Sequence, residues 1–170
     1  MKKNFSTKQL TLSAIFIAMG TLLGHLVVIP IGVSRCFPLQ HTINILSAVF
    51  LGPFYAVSNA FLISLLRNLL GTGSLLAFPG SMIGALISGI LYSKFKKYSL
   101  ACIGEVIGTG ILGGLLAFPI AKLFMGSSVG GLFFVIPFLT STIGGSLIAY
   151  ILLASKSITN IKRVTYHEWF

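Results

Sequence analysis

The most informative part of the sequence is the stretch CFPLQHTINILSAVFLGPFYAVSNAFLISLL, residues 36–66, which contains no charged side chain. Its apolar residues run continuously and lack the strict alternation of a barrel strand, so the stretch predicts helix. In its middle, Gly52-Pro53 is a turn signal. The stretch therefore predicts two short helices, at about 39–51 and 54–70, joined by a tight turn.

The whole chain is equally poor in charge. It has 170 residues, of which 55% are hydrophobic and 8% are charged, and its mean hydropathy is +0.99. Soluble domains carry about 25% charged residues, so this chain has too few charges to solvate the surface of a small water-soluble particle. The charges instead separate apolar stretches, each able to hold one or two membrane spans of roughly 20 residues. Because backbone groups in hydrocarbon must be satisfied internally, the sequence predicts an all-α membrane protein.

Applied along the chain, the same reasoning predicts six transmembrane helices in a compact bundle. Prolines and glycines predict structured loops at Pro30–Pro38 and at Gly71–Gly80. The first apolar stretch is too long for the core of a signal peptide and is interpreted as a permanent helix. We interpret residues 1–170 as one integral membrane domain with helices at about 8–29, 39–51, 54–70, 81–95, 99–123 and 131–155. A five-helix alternative with a re-entrant second segment stays open, because the turn after it carries no charge.

Basic residues predict the orientation of this bundle. If the N-terminus is inside, nine of the 12 lysines and arginines are cytoplasmic, and only Arg35, Arg67 and Lys122 lie toward the outer side. The positive-inside rule therefore predicts a multi-pass protein of the plasma membrane with both termini in the cytoplasm. It also explains the net charge of +10 better than nucleic-acid binding does, because the charges lie at span ends and form no patch.

Polar side chains within the predicted spans are the candidates for function, because they are costly in hydrocarbon and tend to face cavities or partners. The second helix carries Gln40, His41 and Asn44, and the third ends with Arg67 and Asn68. Their depth predicts a pocket that opens outward beneath the two Pro/Gly loops. The alternative for each is a structural role, such as an interhelical hydrogen bond or an arginine that reaches the outer headgroups.

Glu105 is the one acidic residue before the C-terminal tail, and Thr109 shares its helical face. A buried carboxylate needs a partner or becomes protonated. Arg67 is the nearest candidate by charge, and Thr109, a ligand or another helix are the alternatives. No catalytic set or metal-ligand spacing accompanies Glu105, so an enzyme is the weaker hypothesis, and neither a cofactor nor a metal is expected. Cys36 and Cys102 fall near opposite ends of the predicted spans, which argues against a disulfide.

A family resemblance rests on these features together. In the first helix, Ala14 and Ala18 are small residues four apart, a spacing that lets a helix of the same bundle or of a partner approach closely. Six short helices, this alanine pair and a covered outward pocket resemble the substrate-binding S components of energy-coupling factor (ECF) vitamin transporters. Three stretches are similar to the ThiW group: FPLQH at 37–41, LRNLLGTGSLLAFPGS at 66–81 and GEVIGTG at 104–110.

The resemblance implies a transport subunit, without enzymatic activity of its own, for hydroxyethyl-methylthiazole, the thiazole precursor of thiamine. It implies three partners, a transmembrane coupling protein that Ala14 and Ala18 face and two cytoplasmic ATPases. An S component for thiamine or hydroxymethylpyrimidine, a stand-alone intramembrane enzyme and a purely structural subunit are the alternatives. The sole tryptophan, Trp169, lies in the tail and Glu105 is the only acidic residue within the predicted spans, which argues against the thiamine cation. The candidate substrate-binding residues are Gln40, His41, Asn44, Arg67, Asn68, Ser81, Glu105 and Thr109.

Overall fold

The computed structural model describes residues 6–31, 34–126 and 130–155. A two-stranded antiparallel hairpin, β1 (Ile29–Ile31) and β2 (Ser34–Cys36), lies between the first two helices. A π-helical segment, Val106–Gly113, connects the fourth helix to the fifth without a break. The α-helices are α1 (Thr7–Leu23), α2 (Pro38–Leu69), α3 (Ala77–Phe95), α4 (Tyr98–Glu105), α5 (Gly114–Met125) and α6 (Val135–Ala154). The predicted helical class is confirmed.

The chain reverses direction in the middle of α2, at Gly52. This glycine has φ 82° and ψ 177°, a conformation that is essentially restricted to glycine. Asn59 Nδ2 donates to Ser47 Oγ at 3.2 Å across the turn, and Arg67 donates to Gln40 further from it. Because contacts move outward from Gly52 on both sides, the two halves of α2 run antiparallel.

The surface of the bundle is apolar and its interior contains polar groups. Large apolar side chains such as Phe54, Leu69 and Ile136 are exposed, whereas Arg67 and Glu105 are buried. Soluble proteins do not bury charges in this way while exposing broad apolar surface. Among the described residues, three helical stretches are long and apolar enough to cross a membrane: Pro38–Leu69, Tyr98–Phe124 and Val135–Ala154.

Helix α3 packs closely against the π-helical segment through glycines. A Cβ atom on Gly108 would lie 2.5 Å from the Cα atom of Gly84, and one on Gly113 would lie equally close to Gly80. A π turn brings residues five apart onto one face, whereas an α turn does so for residues four apart. The π-helical segment therefore keeps Gly108 and Gly113, which are five residues apart, facing α3.

The two ends of the bundle differ in polarity. An apolar cluster that includes Phe16, Phe50 and Leu153 fills the end that holds the Gly52 turn. The hairpin lies at the other end, where Cys36 Sγ donates to the carbonyl oxygen of Pro137 at 3.1 Å. The start of α6 is thereby fixed to the hairpin, and buried polar side chains such as Gln40, Arg67 and Ser141 lie near this end.

The predicted first helix, 8–29, is wrong beyond Leu23. The chain leaves the helix there and forms β1, whose Pro30 pairs in register with Arg35. Proline has no N–H and a fixed φ, which suit the edge of a two-stranded hairpin and would interrupt a helix. The predicted loop at Pro30–Pro38 therefore contains this hairpin.

Two other predicted helix starts also differ. The helix predicted at 81–95 begins earlier, at Ala77, because Pro79 falls in its first turn, where a backbone donor is not needed. The helix predicted at 131–155 begins later, at Val135, after a short turn. Both helices begin at the end of the bundle that holds the hairpin, so these differences change which residues surround that end.

Candidate substrate-binding site

A cavity of about 490 Å³ opens at the hairpin end of the bundle. Its walls come from the segment after α1, the hairpin, both ends of α2 with the turn that follows it, the start of α3, the π-helical segment and the start of α6. Phe37, Phe134 and Phe138 supply aromatic surface. Five of the predicted site residues line the cavity: Gln40, His41, Arg67, Ser81 and Thr109. A volume of this size with apolar walls and a few polar groups is typical of a small-molecule site.

The turn that follows α2 folds back over the helix end and forms one wall of the cavity. Gly71, with φ 70°, ends the helix, and the amides of Thr72 and Gly73 donate to the carbonyl oxygen of Arg67 at 2.8 and 2.9 Å. Asn68 Nδ2 donates to the carbonyl oxygens of Ser64 and Ser74 at 2.8 and 3.1 Å. Asn68 thus holds the turn in place and is not among the residues that line the cavity.

Arg67 connects three elements at the edge of the cavity. Its side chain is only 2% exposed. Nη1 donates to Gln40 Oε1 in the first half of α2, and Nη2 donates to the carbonyl oxygen of Thr72 at 2.8 Å. The guanidinium lies over the ring of Phe37, with Cζ 4.4 Å from the ring centroid. Arg67 therefore joins α2, the turn and the hairpin in one contact set.

The polar floor continues from Gln40 through Ser81 to Asn44. Gln40 Nε2 lies 3.4 Å from Ser81 Oγ, and Asn44 Nδ2 lies 3.0 Å from the same oxygen. Asn44 is 1% exposed and lies below the cavity lining, so it supports Ser81 from behind. Through these bonds the first half of α2 fixes the first turn of α3.

Glu105 lies beneath the floor of the cavity, where it is fully buried and accepts hydrogen bonds. His41 Nδ1 lies 2.9 Å from its Oε1, and Asn44 Nδ2 and Thr109 Oγ1 each lie 3.0 Å from the same atom. Glu105 Oε2 has no hydrogen-bond partner among the described residues. The contact with His41 orients the imidazole, which leaves Nε2 as the ring nitrogen for a ligand.

Gly84 makes room for this carboxylate. A Cβ atom on Gly84 would collide with Thr109 Oγ1 and would lie 2.7 Å from Glu105 Oε2. Because Gly84 has no side chain, it gives space both for the close contact of α3 with the π-helical segment and for the buried carboxylate of Glu105.

The predicted partner residues lie away from the cavity, on α1. This helix packs against α2 with a face that includes Ser13, Phe16 and Gly20. Ala14 and Ala18 are exposed on its other side. Among the described residues, no helix covers this second face.

A comparison with protein families identifies the family to which this chain belongs. The family model described as thiamine-precursor transporter protein (ThiW) matches residues 10–157. The chain belongs to the ThiW family. No curated protein and no solved structure matches it. Membership of a transporter family, together with the apolar helices, makes the chain a membrane transport protein with a small-molecule substrate, and the predicted resemblance to ThiW is confirmed.

In this ThiW protein, seven of the eight predicted site residues form one connected group. Hydrogen bonds join Arg67, Gln40, Ser81, Asn44 and Glu105 in that order, and His41 and Thr109 each bond Glu105. Of the pairings considered for Glu105, those with Thr109 and with another helix, α2, are present, whereas Arg67 bonds elsewhere. Asn44 and Glu105 lie behind the lining, and Asn68 lies in the turn. Direct contact of any of these residues with substrate stays a prediction.

Sequence reasoning missed several lining residues of the ThiW cavity. His25 lines it because the chain has already left α1, whereas the predicted longer helix placed this residue inside a span. Phe134, Phe138 and Ser141 line it from α6. Ser141 Oγ accepts a 2.8 Å hydrogen bond from the amide of Phe37, a contact that no local sequence pattern signals.

Proposed function

We propose that this chain is the substrate-binding S component of an ECF-type importer for hydroxyethyl-methylthiazole. The observation that carries the proposal is the cavity of about 490 Å³ with a hydrogen-bonding floor, in a member of the thiamine-precursor transporter family. Cavities of roughly 300–1,000 Å³ are the usual size for small ligands.

The lining suits the functional groups of a thiazole alcohol. The ring nitrogen accepts hydrogen bonds, and the hydroxyl both donates and accepts. Arg67 and Ser81 offer donors, and His41 Nε2 offers either role because Glu105 holds the other ring nitrogen. Phe37 and the other ring side chains of the wall provide apolar surface for the heterocycle.

The charge of the lining disfavours thiamine itself. Thiamine is a cation, and the lining includes two arginines, Arg35 and Arg67, whose charge opposes a cation. No carboxylate is among the described residues that line the cavity, and the Glu105 Oε1 atom already has three donors. Hydroxymethylpyrimidine is the alternative that the lining leaves open.

The proposed topology has six membrane crossings, with both termini in the cytoplasm of the cell and the cavity facing outward. The reversal at Gly52 lets α2 cross twice. Lys94, Lys96 and Lys97 are exposed at the connection between α3 and α4, at the end of the bundle away from the cavity. The positive-inside rule supports placing that end in the cytoplasm.

The proposed partners are a transmembrane coupling protein and two ATPases. Ala14 and Ala18 lie on the uncovered face of α1, where small residues let a partner helix approach closely. The chain contains no phosphate-binding loop of the Gly-x-x-x-x-Gly-Lys-Ser/Thr type, so the proposal assigns ATP hydrolysis to the partners. In this proposal the chain binds and carries the substrate and does not change it chemically.

The direct test is ligand titration of the purified full-length chain in nanodiscs. Hydroxyethyl-methylthiazole, thiamine and hydroxymethylpyrimidine are added separately and binding is measured by calorimetry. Saturable binding of the thiazole, tighter than of the other two, supports the proposal. Tighter binding of thiamine or of the pyrimidine overturns the choice of substrate and retains the transporter class.

A pair of serine variants localises the site. Ser81→Ala removes a hydroxyl from the floor, whereas Ser58→Ala removes one that bonds the Phe54 carbonyl oxygen outside the cavity. Binding weakened by the first variant and unchanged by the second places the ligand in this cavity. Equal effects of both contradict that placement.

A further inference from the structure

We infer that the preferred substrate carries an anionic group, a phosphate ester or a carboxylate, which binds beside Arg67. The inference rests on the proposed function for the thiazole ring and adds the charge of its substituent. It starts from a buried cation that has no counter-ion among the described residues.

The burial of Arg67 creates a requirement for a counter-ion. Charged side chains are almost never fully buried unless they are paired, because desolvation is expensive. Arg67 is 2% exposed, and among the described residues no carboxylate lies within 4.0 Å of it. The described carboxylate, Glu105, is instead bonded to His41, Asn44 and Thr109.

The guanidinium has unused hydrogen-bonding capacity at the cavity. Arginine offers five N–H donors. Two of them have acceptors among the described residues, Gln40 Oε1 and the Thr72 carbonyl oxygen, and Nε has no described partner. A planar fork with free donors is the group that best matches the oxygen atoms of a phosphate or carboxylate.

The rest of the lining has the same sign of charge. Arg35, on the hairpin, and His25, after α1, line the same cavity as Arg67. Three side chains that are cationic or can become so therefore face one space, and no carboxylate is among the lining residues that the structure describes. A neutral alcohol leaves the buried charge of Arg67 uncompensated, whereas an anionic substituent compensates it where water is scarce.

A purely structural Arg67 is the competing explanation, because its bonds also hold the turn and the hairpin. The two explanations differ for the wild-type protein. A structural arginine gives no preference between a thiazole alcohol and its anionic derivatives. A substrate-binding arginine gives a preference for the anions.

The decisive experiment titrates the full-length wild-type chain in nanodiscs with four probes: hydroxyethyl-methylthiazole, its phosphate monoester, 4-methylthiazole-5-acetate and inorganic phosphate. We expect at least one anionic thiazole to bind about tenfold or more tighter than the alcohol, as when a neutral hydrogen bond becomes charge-assisted. Which anion binds more tightly identifies the substituent. Binding of the alcohol as tight as that of both anions overturns the inference.

Variants then trace the preference to Arg67. Arg67→Gln is expected to abolish the preference, Arg67→Lys to retain part of it, and Lys122→Gln, which removes an exposed cation outside the cavity, to leave it intact. A preference that survives Arg67→Gln contradicts the inference. If Arg67→Gln does not fold, the wild-type series alone decides.

The outcomes separate this inference from the proposed function. If the thiazole alcohol binds and the anionic thiazoles do not, the function stands and the inference fails. If inorganic phosphate binds and no thiazole does, the site prefers anions and the proposed thiazole function fails. If none of the four probes binds, both fail.

Discussion

His41 Nδ1 and Glu105 Oε1 lie 2.9 Å apart beneath the floor of the cavity, and Glu105 is fully buried. The contact links the first half of α2 to the end of α4. Because His41 also lines the cavity, the pair connects the interior of the bundle to the site.

Glu105→Gln is expected to lower both stability and ligand affinity. The amide keeps the volume but makes neutral hydrogen bonds, which are roughly half as strong as charge-assisted ones. It also places an NH2 group where Oε2 has no described partner. A buried unsatisfied group costs about 1–3 kcal/mol, so the midpoint of thermal unfolding should fall measurably.

A double-mutant cycle with His41→Asn tests whether the two residues act together. Residues in direct contact show coupling of about 0.5–3 kcal/mol. Additive losses of stability in the double variant would show that the contact carries no energy of its own.

Gly84→Ala is expected to destabilise the bundle and to weaken ligand binding. The added methyl group collides with Thr109 and displaces Glu105. Overpacking of this kind typically costs about 1–3 kcal/mol. Gly144→Ala is the matched control, because its Cβ atom would meet Pro38 at an ordinary 3.5 Å. Equal unfolding midpoints for the two variants would be evidence against the close contact of α3 with the π-helical segment.

Gly52→Ala is expected to destabilise the protein by strain alone. A Cβ atom there meets nothing within 4 Å, so sterically there is room, but φ is 82° and ψ is 177°. Non-glycine residues in that region cost about 1–3 kcal/mol. The unfolding midpoint should fall below that of Gly144→Ala, and a midpoint at or above the control would mean that α2 does not reverse as described.

Ala14→Trp and Ala18→Trp are expected to prevent assembly with the coupling protein and to leave ligand affinity unchanged. Both residues are exposed and distant from the cavity, so their bulk affects only what packs on α1. Co-purification with the partner subunits and ligand titration give the two readouts. Ile90→Trp, on the exposed face of α3, is the control. Loss of ligand binding with an intact complex would reverse the assignment.

The Cys36 thiol is expected to react slowly with maleimide. Burial raises its pKa above the ordinary value, so at pH 8 a smaller fraction is thiolate than in an unfolded chain. Its Sγ also donates to the carbonyl oxygen of Pro137, so exposing it requires the hairpin to separate from α6. Labelling of a Cys102→Ala variant, followed by mass spectrometry, should accelerate as the pH rises. Labelling as fast as in the denatured chain would show that the hairpin is not held against α6.

Much of the helical architecture could be predicted because its causes are local. Apolar runs and the Gly52-Pro53 turn signal lie within a few residues of the elements they specify. The end of α1 could not be predicted in this way, because apolar residues continue to Ile29 and only pairing with β2 shows that they leave the helix. The π-helical segment depends on the glycines of α3, which are distant in sequence.

The candidate site shows the same division. Gln40 and Asn44 share a face by helical periodicity, as do Glu105 and Thr109, and each pair points into the polar group. The role of Asn68 was not visible, because it depends on how the turn folds back onto the helix. For the same reason the sequence did not reveal that Arg67 bonds Gln40 rather than Glu105.

The reversal at Gly52 has a consequence for the lipid around the protein. At 1.5 Å per residue, the two halves of α2 are only about 21 and 25 Å long, shorter than the roughly 30 Å hydrocarbon layer. If each half crosses the membrane, the bilayer beside α2 must thin to match it, at a cost that rises with every ångström of mismatch. Acyl-chain length then becomes a variable that acts on this transporter. Bilayers of shorter chains should hold it at less cost, and thicker ones should raise the cost of thinning and favour association of the protein with other helices.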